Sequence, residues 1–206
     1  MMKLLITGFE PFGEHHTNPS QVLIKTLPDA YLGITLVKAI LPVHAALAPA
    51  QMVKLLETHK PDGVIAFGLA AGRAKVSLER VALNWLDFSI PDNAGETIQH
   101  KLICEDGPAA YFSTLPLDRM LTALNSAGIP AEASLSAGAY LCNQVFYTLM
   151  DTLAQHKTAI PAGFVHLPAL PEQAANSKQP IPSIGLEKIL AAAFLMIEIL
   201  GSPANT

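Results

Sequence analysis

Apolar residues fall in short blocks along the chain, and the blocks follow two different spacings. Lys3–Thr7 carries a compact apolar run that ends in a Gly-Pro-Gly region. A run this short, closed by turn residues, predicts a buried strand. Gly63–Phe67 and Gly163–Leu167 read the same way, and Glu132–Leu135 reads as a shorter strand. Ile34–Leu41 is rich in strand formers, and Val76–Trp85 alternates as a strand or hairpin arm. Other blocks have helical spacing. Leu141, Val145, Leu149 and Leu153 recur every four residues and predict a helix over Tyr140–His156. Pro19–Leu27 opens with Asn18 as cap and Pro19 in its first turn. Ala45–His59 is closed by Pro61, Leu117–Ser126 stops near Gly128, and Ile184–Leu200 ends the series.

Strands alternating with helices predict a three-layer α/β/α sandwich, with a mostly parallel or mixed twisted sheet and helices on both faces. Phosphorylase/hydrolase-like enzymes share this architecture. No repeat, low-complexity tract or linker divides the chain, so residues 1–206 read as a single domain. In such folds sites gather at the carboxyl ends of strands. GFEPFG, GLAAGR, SAGAYLCN and VHLP each follow or end a predicted strand, so they can meet in one place.

Composition narrows the function classes. Half of the residues are apolar and only 15% are charged, a core-rich profile. The net charge of −4, with no basic run, argues against a large nucleic-acid surface. The apolar run at the N-terminus is too short for a signal peptide, and Ile189–Ile197 is stopped by Glu198 before it can span a bilayer. The expectation is a soluble, cytoplasmic protein with no membrane partner. The two cysteines, Cys104 and Cys142, make neither a disulfide framework nor a zinc-site spacing, so no metal is expected.

Cys142 falls in the first turn of a predicted helix. Free N–H groups and positive partial charge there favour a thiolate and can hold an oxyanion. The same position also suits an inert cysteine buried in the core. A thiolate nucleophile wants a base within hydrogen-bond reach. Of the seven histidines, His59 and His156 end helices, while His15 and His16 sit in an early loop. His166 closes the apolar strand GFVHL, where a polar ring needs a partner. It reads as a base or as a satisfied core histidine. Glu79 and Asp87 are the candidates to orient it, and Arg80 is a candidate ion-pair partner for Glu79.

Taken in order, ITGFEPFG, NPS, GLAAGR, ERVALN, IPDN, GPAAYFSTLP, SAGAYLCN and GFVHLPALPEQ resemble the motifs of the pyroglutamyl-peptidase I family of cysteine peptidases. The match spans most of the chain. The resemblance implies removal of an N-terminal pyroglutamyl residue from peptides. It implies Cys142 as nucleophile, His166 as base and Glu79 as the orienting acid. Phe9, Phe12, Ile90, Tyr140 and Leu141 match positions that form the apolar pocket for the pyroglutamyl ring. The family fold is an α/β/α sandwich, often a homotetramer or other homo-oligomer, and it uses no metal or organic cofactor. The chain departs from the pattern at two places. Glu14-His15-His16 follows Gly13, where the family usually shows a second glycine. Ser89 stands where the family commonly carries an arginine that helps stabilise the oxyanion. The rival readings are a nucleoside phosphorylase or hydrolase of similar architecture, and a pyroglutamyl-binding homologue with low activity.

Overall fold

The structure is a computed structural model that describes residues 2–13 and 16–202. Glu14 and His15, which follow Gly13, lie outside the described residues. In chain order the elements are β1 (Lys3–Phe9), α1 (Pro19–Thr26), β2 (Ala30–Tyr31), β3 (Ile34–Leu41), α2 (Leu47–His59) and β4 (Gly63–Leu69). There follow β5 (Val76–Glu79), β6 (Val81–Leu83), β7 (Ala110–Phe112), α3 (Leu117–Ser126) and β8 (Ala131–Ser134). The chain closes with α4 (Leu141–Gln155), β9 (Ala162–Leu167), α5 (Pro171–Ala175) and α6 (Leu186–Gly201).

Seven strands form one sheet in the order β2-β3-β1-β4-β9-β5-β8. β3, β1, β4 and β9 are parallel to one another. β5 runs antiparallel to β9 and parallel to β8, so one edge of the sheet is reversed. β2 also runs antiparallel, against β3. The continuous apolar runs of β1 and β4 are explained by cover on both faces. Side chains alternate across the sheet. Leu4, Ile6, Ile65, Phe67, Val165 and Leu167 enter a core shared with Leu23 of α1, Met120 of α3 and Ala193 of α6. Leu5, Val64, Ala66 and Phe164 enter the opposite core with Met52 of α2 and Val145 and Leu149 of α4. This is the three-layer sandwich that the pattern predicts. Among the described residues no helix is long and apolar enough to cross a membrane.

The differences from the sequence pattern have local causes. Val76–Trp85 is not one strand. It breaks at Arg80, whose N–H bonds to Ser134 O, and β6 then pairs with β7 in a separate two-stranded ribbon. The helix predicted from Ala45 begins at Leu47, because Ala45 N–H is held by the Asp92 carboxylate. β2, β7 and α5, only two, three and five residues long, are too short to show a period.

Asn18 caps α1 as expected: its side-chain oxygen accepts from Ser20 N–H at 3.0 Å. The Ser20 hydroxyl in turn accepts from Phe9 N–H at 2.9 Å and docks the helix on the end of β1. Gly8 permits this approach. A Cβ there would lie 2.6 Å from the backbone oxygen of Ser20, which cannot swing aside. Gly8→Ala is therefore expected to destabilise the fold by about 2–3 kcal/mol, the scale of overpacking a rigid contact. Urea unfolding should show a lower midpoint at unchanged slope. An unchanged midpoint would mean that α1 is not tightly seated.

Candidate active site

The reversal of β5 builds the site. Ser77 lies opposite His166 across the β5/β9 pair, and Glu79 lies opposite Phe164. Opposed residues of antiparallel strands point to one face, and a diagonal neighbour is within reach of a long side chain. Glu79 is thus diagonal to His166 on the α4 side. Glu79 Oε1 lies 2.7 Å from His166 Nδ1. Glu79 is fully buried and His166 is nearly so. Asp87, the alternative orienter, instead approaches His100 at 3.7 Å, away from His166.

The buried carboxylate has a second partner, and it is not Arg80. Arg80 pairs with Asp118 at the start of α3. Arg73, from the loop after β4, places Nη1 2.6 Å from Glu79 Oε1, and its Nη2 donates to Ser136 O at 2.8 Å. Burial raises the Glu79 pKa. The hydrogen bond and charge of His166, with help from Ser134 and Arg73, outweigh that burial, and the net direction is down. An ionised carboxylate only accepts hydrogen bonds, so Nδ1 of His166 carries a proton toward Glu79, and in the neutral form of the ring Nε2 is the acceptor.

Cys142 is the second residue of α4, and no side chain of Tyr140 caps that helix start. The first N–H groups of a helix have no partner within it. Asn143 pins the turn in place. Its side chain accepts from Leu83 N–H at 2.8 Å and donates to Leu83 O and Trp85 O at 2.8 and 3.0 Å. The thiol rests over Gly68 of β4, the parallel-strand partner of His166. A Cβ on Gly68 would lie 2.8 Å from Cys142 Sγ, so glycine is what lets the sulfur sit there. The sequence leads one to expect a thiol pKa lowered by the helix start. The surroundings act the other way: burial, followed by the Glu79 charge, pushes it up to about 12 against the smaller effect of Arg73. The thiol therefore rests protonated at neutral pH. Cys104 sits elsewhere, packed beside Gly107, and its N–H is held by Asn84.

Cys142 and His166 line one cavity of about 140 Å³ with Phe9, Phe12, Tyr140 and Leu141. Four of the five expected pocket residues thus come together. The fifth, Ile90, is 41% exposed and is not among the lining residues. Tyr140 packs edge-on against Phe88 at 4.6 Å, and Phe12 lies 6.1 Å from Tyr140. Sequence reasoning missed Asn18, Val43, Leu69 and Ala137 as lining residues, and Arg73 as the partner of Glu79.

Loops from distant parts of the chain are laced into the cavity wall. Glu10 Oε1 accepts from Val43 N–H at 2.9 Å and from the Asn93 amide at 3.0 Å. The Asn93 amide also donates to Pro11 O at 3.0 Å. Buried Asp92 accepts from the N–H groups of Ala45, Ala94 and Glu96 at 2.8 to 2.9 Å. The GFEPFG and IPDN segments are therefore one structural unit. Ser89 is exposed on its flank.

The description "Pyroglutamyl peptidase" belongs to a family model that matches residues 2–202. The chain belongs to the pyroglutamyl peptidase family. It is 39% identical over 201 residues to a pyrrolidone-carboxylate peptidase of Coprothermobacter proteolyticus, covering 97% of each chain. A mutant pyrrolidone carboxyl peptidase of the hyperthermophile Pyrococcus furiosus superposes with a TM-score of 0.94 at 40% identity, over 97% of this chain and 98% of that one. Pyroglutamyl peptidase I of Bacillus amyloliquefaciens superposes with a TM-score of 0.92 at 36% identity, over 97% of each. The family named from the motifs in the sequence is thus shown, and with it the mixed α/β fold.

The lowered pKa of Glu79 predicts a pH dependence. A carboxyl depressed on folding contributes stability that is present above its unfolded pKa, about 4.3, and lost as pH falls through the folded value. The difference in unfolding free energy between the protein and Glu79→Gln should therefore shrink as pH drops from about 6 toward 3. Urea titrations across that range measure it. A difference independent of pH would show that the carboxylate is not held in its charged form.

Proposed function

We propose that this member of the pyroglutamyl peptidase family is a cysteine exopeptidase that hydrolyses the bond after an N-terminal pyroglutamyl residue. In this reading Cys142 is the nucleophile, His166 the base and then the acid, and Glu79 the orienter. The observation that carries it is the lining of one small, largely apolar cavity by the Cys142 thiol and a His166 ring whose Nδ1 is held by Glu79.

The cycle follows from the protonation states. The thiol starts protonated, so attack and deprotonation are coupled. Sγ bonds to the substrate carbonyl carbon while its proton passes to His166 Nε2. The carbonyl oxygen becomes an oxyanion, and the first N–H groups of α4, which have no partner within the helix, are the candidate donors to it. The tetrahedral centre collapses, the C–N bond breaks, and His166 returns the proton to the leaving amine. A water then gives a proton to Nε2 and attacks the thioester. The C–S bond breaks and the thiolate regains its proton. The products are pyroglutamate and a peptide shortened by one residue.

Phe9, Phe12, Tyr140 and Leu141 suit a neutral lactam ring. An N-terminal proline has a similar ring but carries a cation, and burying an unpaired charge costs several kcal/mol. The test is kcat/KM for pyroglutamyl, prolyl and glutamyl arylamides. The prolyl and glutamyl compounds should be slower by at least about 10³-fold, as for substrates that leave buried groups unpaired. Cys142→Ala should abolish the activity, and Cys104→Ala should keep most of it. Similar rates for prolyl and pyroglutamyl substrates would overturn the pocket reading, and equal losses in the two cysteine variants would overturn the choice of nucleophile.

A further inference from the structure

Glu79 is fully buried, and its ion-pair partners among the described residues are His166 and Arg73. Both meet it at Oε1, at 2.7 and 2.6 Å. The two partners differ in kind. An imidazole is charged only when both ring nitrogens hold a proton, whereas a guanidinium is charged throughout the pH range of a folded protein. In the neutral ring that the proposed cycle needs, His166 offers Glu79 a hydrogen bond but no charge. Arg73 is then the counter-charge to a carboxylate sealed from water. A buried charge without such a partner is costly enough that a proton is taken up, on the group itself or on its neighbour.

On the reading of Cys142, His166 and Glu79 proposed above, we infer that Arg73 is a positioning residue that keeps Glu79 ionised beside a neutral His166, and so keeps Nε2 free to act as the base. Without it, the ring is the only partner left that can balance Glu79. The ring then holds its second proton to higher pH, and a doubly protonated ring cannot remove the thiol proton. Neighbouring cations are engaged elsewhere, Arg80 with Asp118 and Lys75 with Glu132. On the α4 side the titratable groups are the Cys142 thiol and, beyond it, the Tyr140 phenol and the Asp92 carboxylate, none of them a cation. Burial is the largest influence on Glu79 and on Cys142 and works against their ionised forms, while the Arg73 charge works the other way on each. Cys142 rests protonated with or without that charge, so its loss is felt at the ring. The guanidinium is fixed for this role by bonds to Ser134 Oγ at 3.3 Å and Ser136 O at 2.8 Å.

The experiment records the pH profile of kcat/KM for a pyroglutamyl arylamide with the wild-type protein, Arg73→Met, Arg73→Gln and Arg73→Lys. The acid limb of that profile reports the base of the free enzyme. In the two neutral variants it should move up by at least about one pH unit, the lower end of the shift that a nearby charge produces. Arg73→Lys keeps the charge but cannot fork, so it should hold the limb near its wild-type place while losing some activity. Nitrogen-15 spectra give the same reading without substrate: Nε2 of His166 should take its proton at higher pH in the neutral variants than in the wild type. A loss of activity equal at every pH, with limb and ring spectra unmoved, would make Arg73 a tether and overturn the inference. A limb displaced as far in Arg73→Lys as in Arg73→Met would overturn the role of its charge. Failure of both neutral variants to fold would assign Arg73 to the fold and overturn the inference too. If the wild-type protein cleaves no pyroglutamyl substrate, the peptidase reading falls, and the ring spectra, shifted or unmoved, still decide what Arg73 does for His166.

Discussion

The contact between Glu79 Oε1 and His166 Nδ1 exists because β5 runs against β9. Side chains alternate between the faces of a sheet, and the β5/β9 register puts Ser77 and Glu79 on the same face as Phe164 and His166. Reversal brings a carboxylate from deeper in the sheet up beside the ring, where solvent does not reach it. A buried carboxylate is tolerated only with partners. His166 and Arg73 supply them, both at Oε1. The arginine does a second job, because its bond to Ser136 O ties the loop after β4 to the segment that leads into α4. The loop that orders Glu79 is therefore joined to the one that delivers Cys142.

The sulfur and the ring are placed by different means. His166 is set by strand register and by its buried hydrogen bond to Glu79. Cys142 is set by a helix start, pinned by the neighbouring Asn143 and seated over Gly68. Its surroundings raise the pKa of this thiol to about 12; in the cycle proposed above, that proton is the one His166 removes. Burial thus opposes the helix start and prevails. The aromatic wall and the Glu10–Asn93 lacing keep the cavity closed on its other sides without reaching the reacting atoms.

Much of this was legible in the sequence. Short apolar runs closed by turn residues announced β1 and β4, a spacing of four announced α4, and Asn18-Pro19 announced a capped helix. Motif order announced the family and brought Cys142, His166, Glu79 and four of the pocket residues to attention. What stayed hidden depends on three-dimensional register. Direction of a short strand is not written in its composition, so the reversal of β5 could not be read. Arg73 and Arg80 are equally plausible partners for Glu79 along the chain, and only the break at Arg80 sends that side chain toward Asp118 instead. Ile90 lies beside the laced loop but is exposed there, a matter of one residue's facing that no motif encodes.

The account turns on the tautomer of His166, with the proton on Nδ1 toward Glu79 and Nε2 open to the thiol. Nitrogen-15 NMR of the ring, in the uncleaved, substrate-free protein at neutral pH, reads this directly. A protonated Nδ1 and an unprotonated Nε2 are predicted, with mixing of the two tautomers once Glu79 is replaced by Ala. A proton found on Nε2, or a spectrum that Glu79→Ala does not change, would contradict the account.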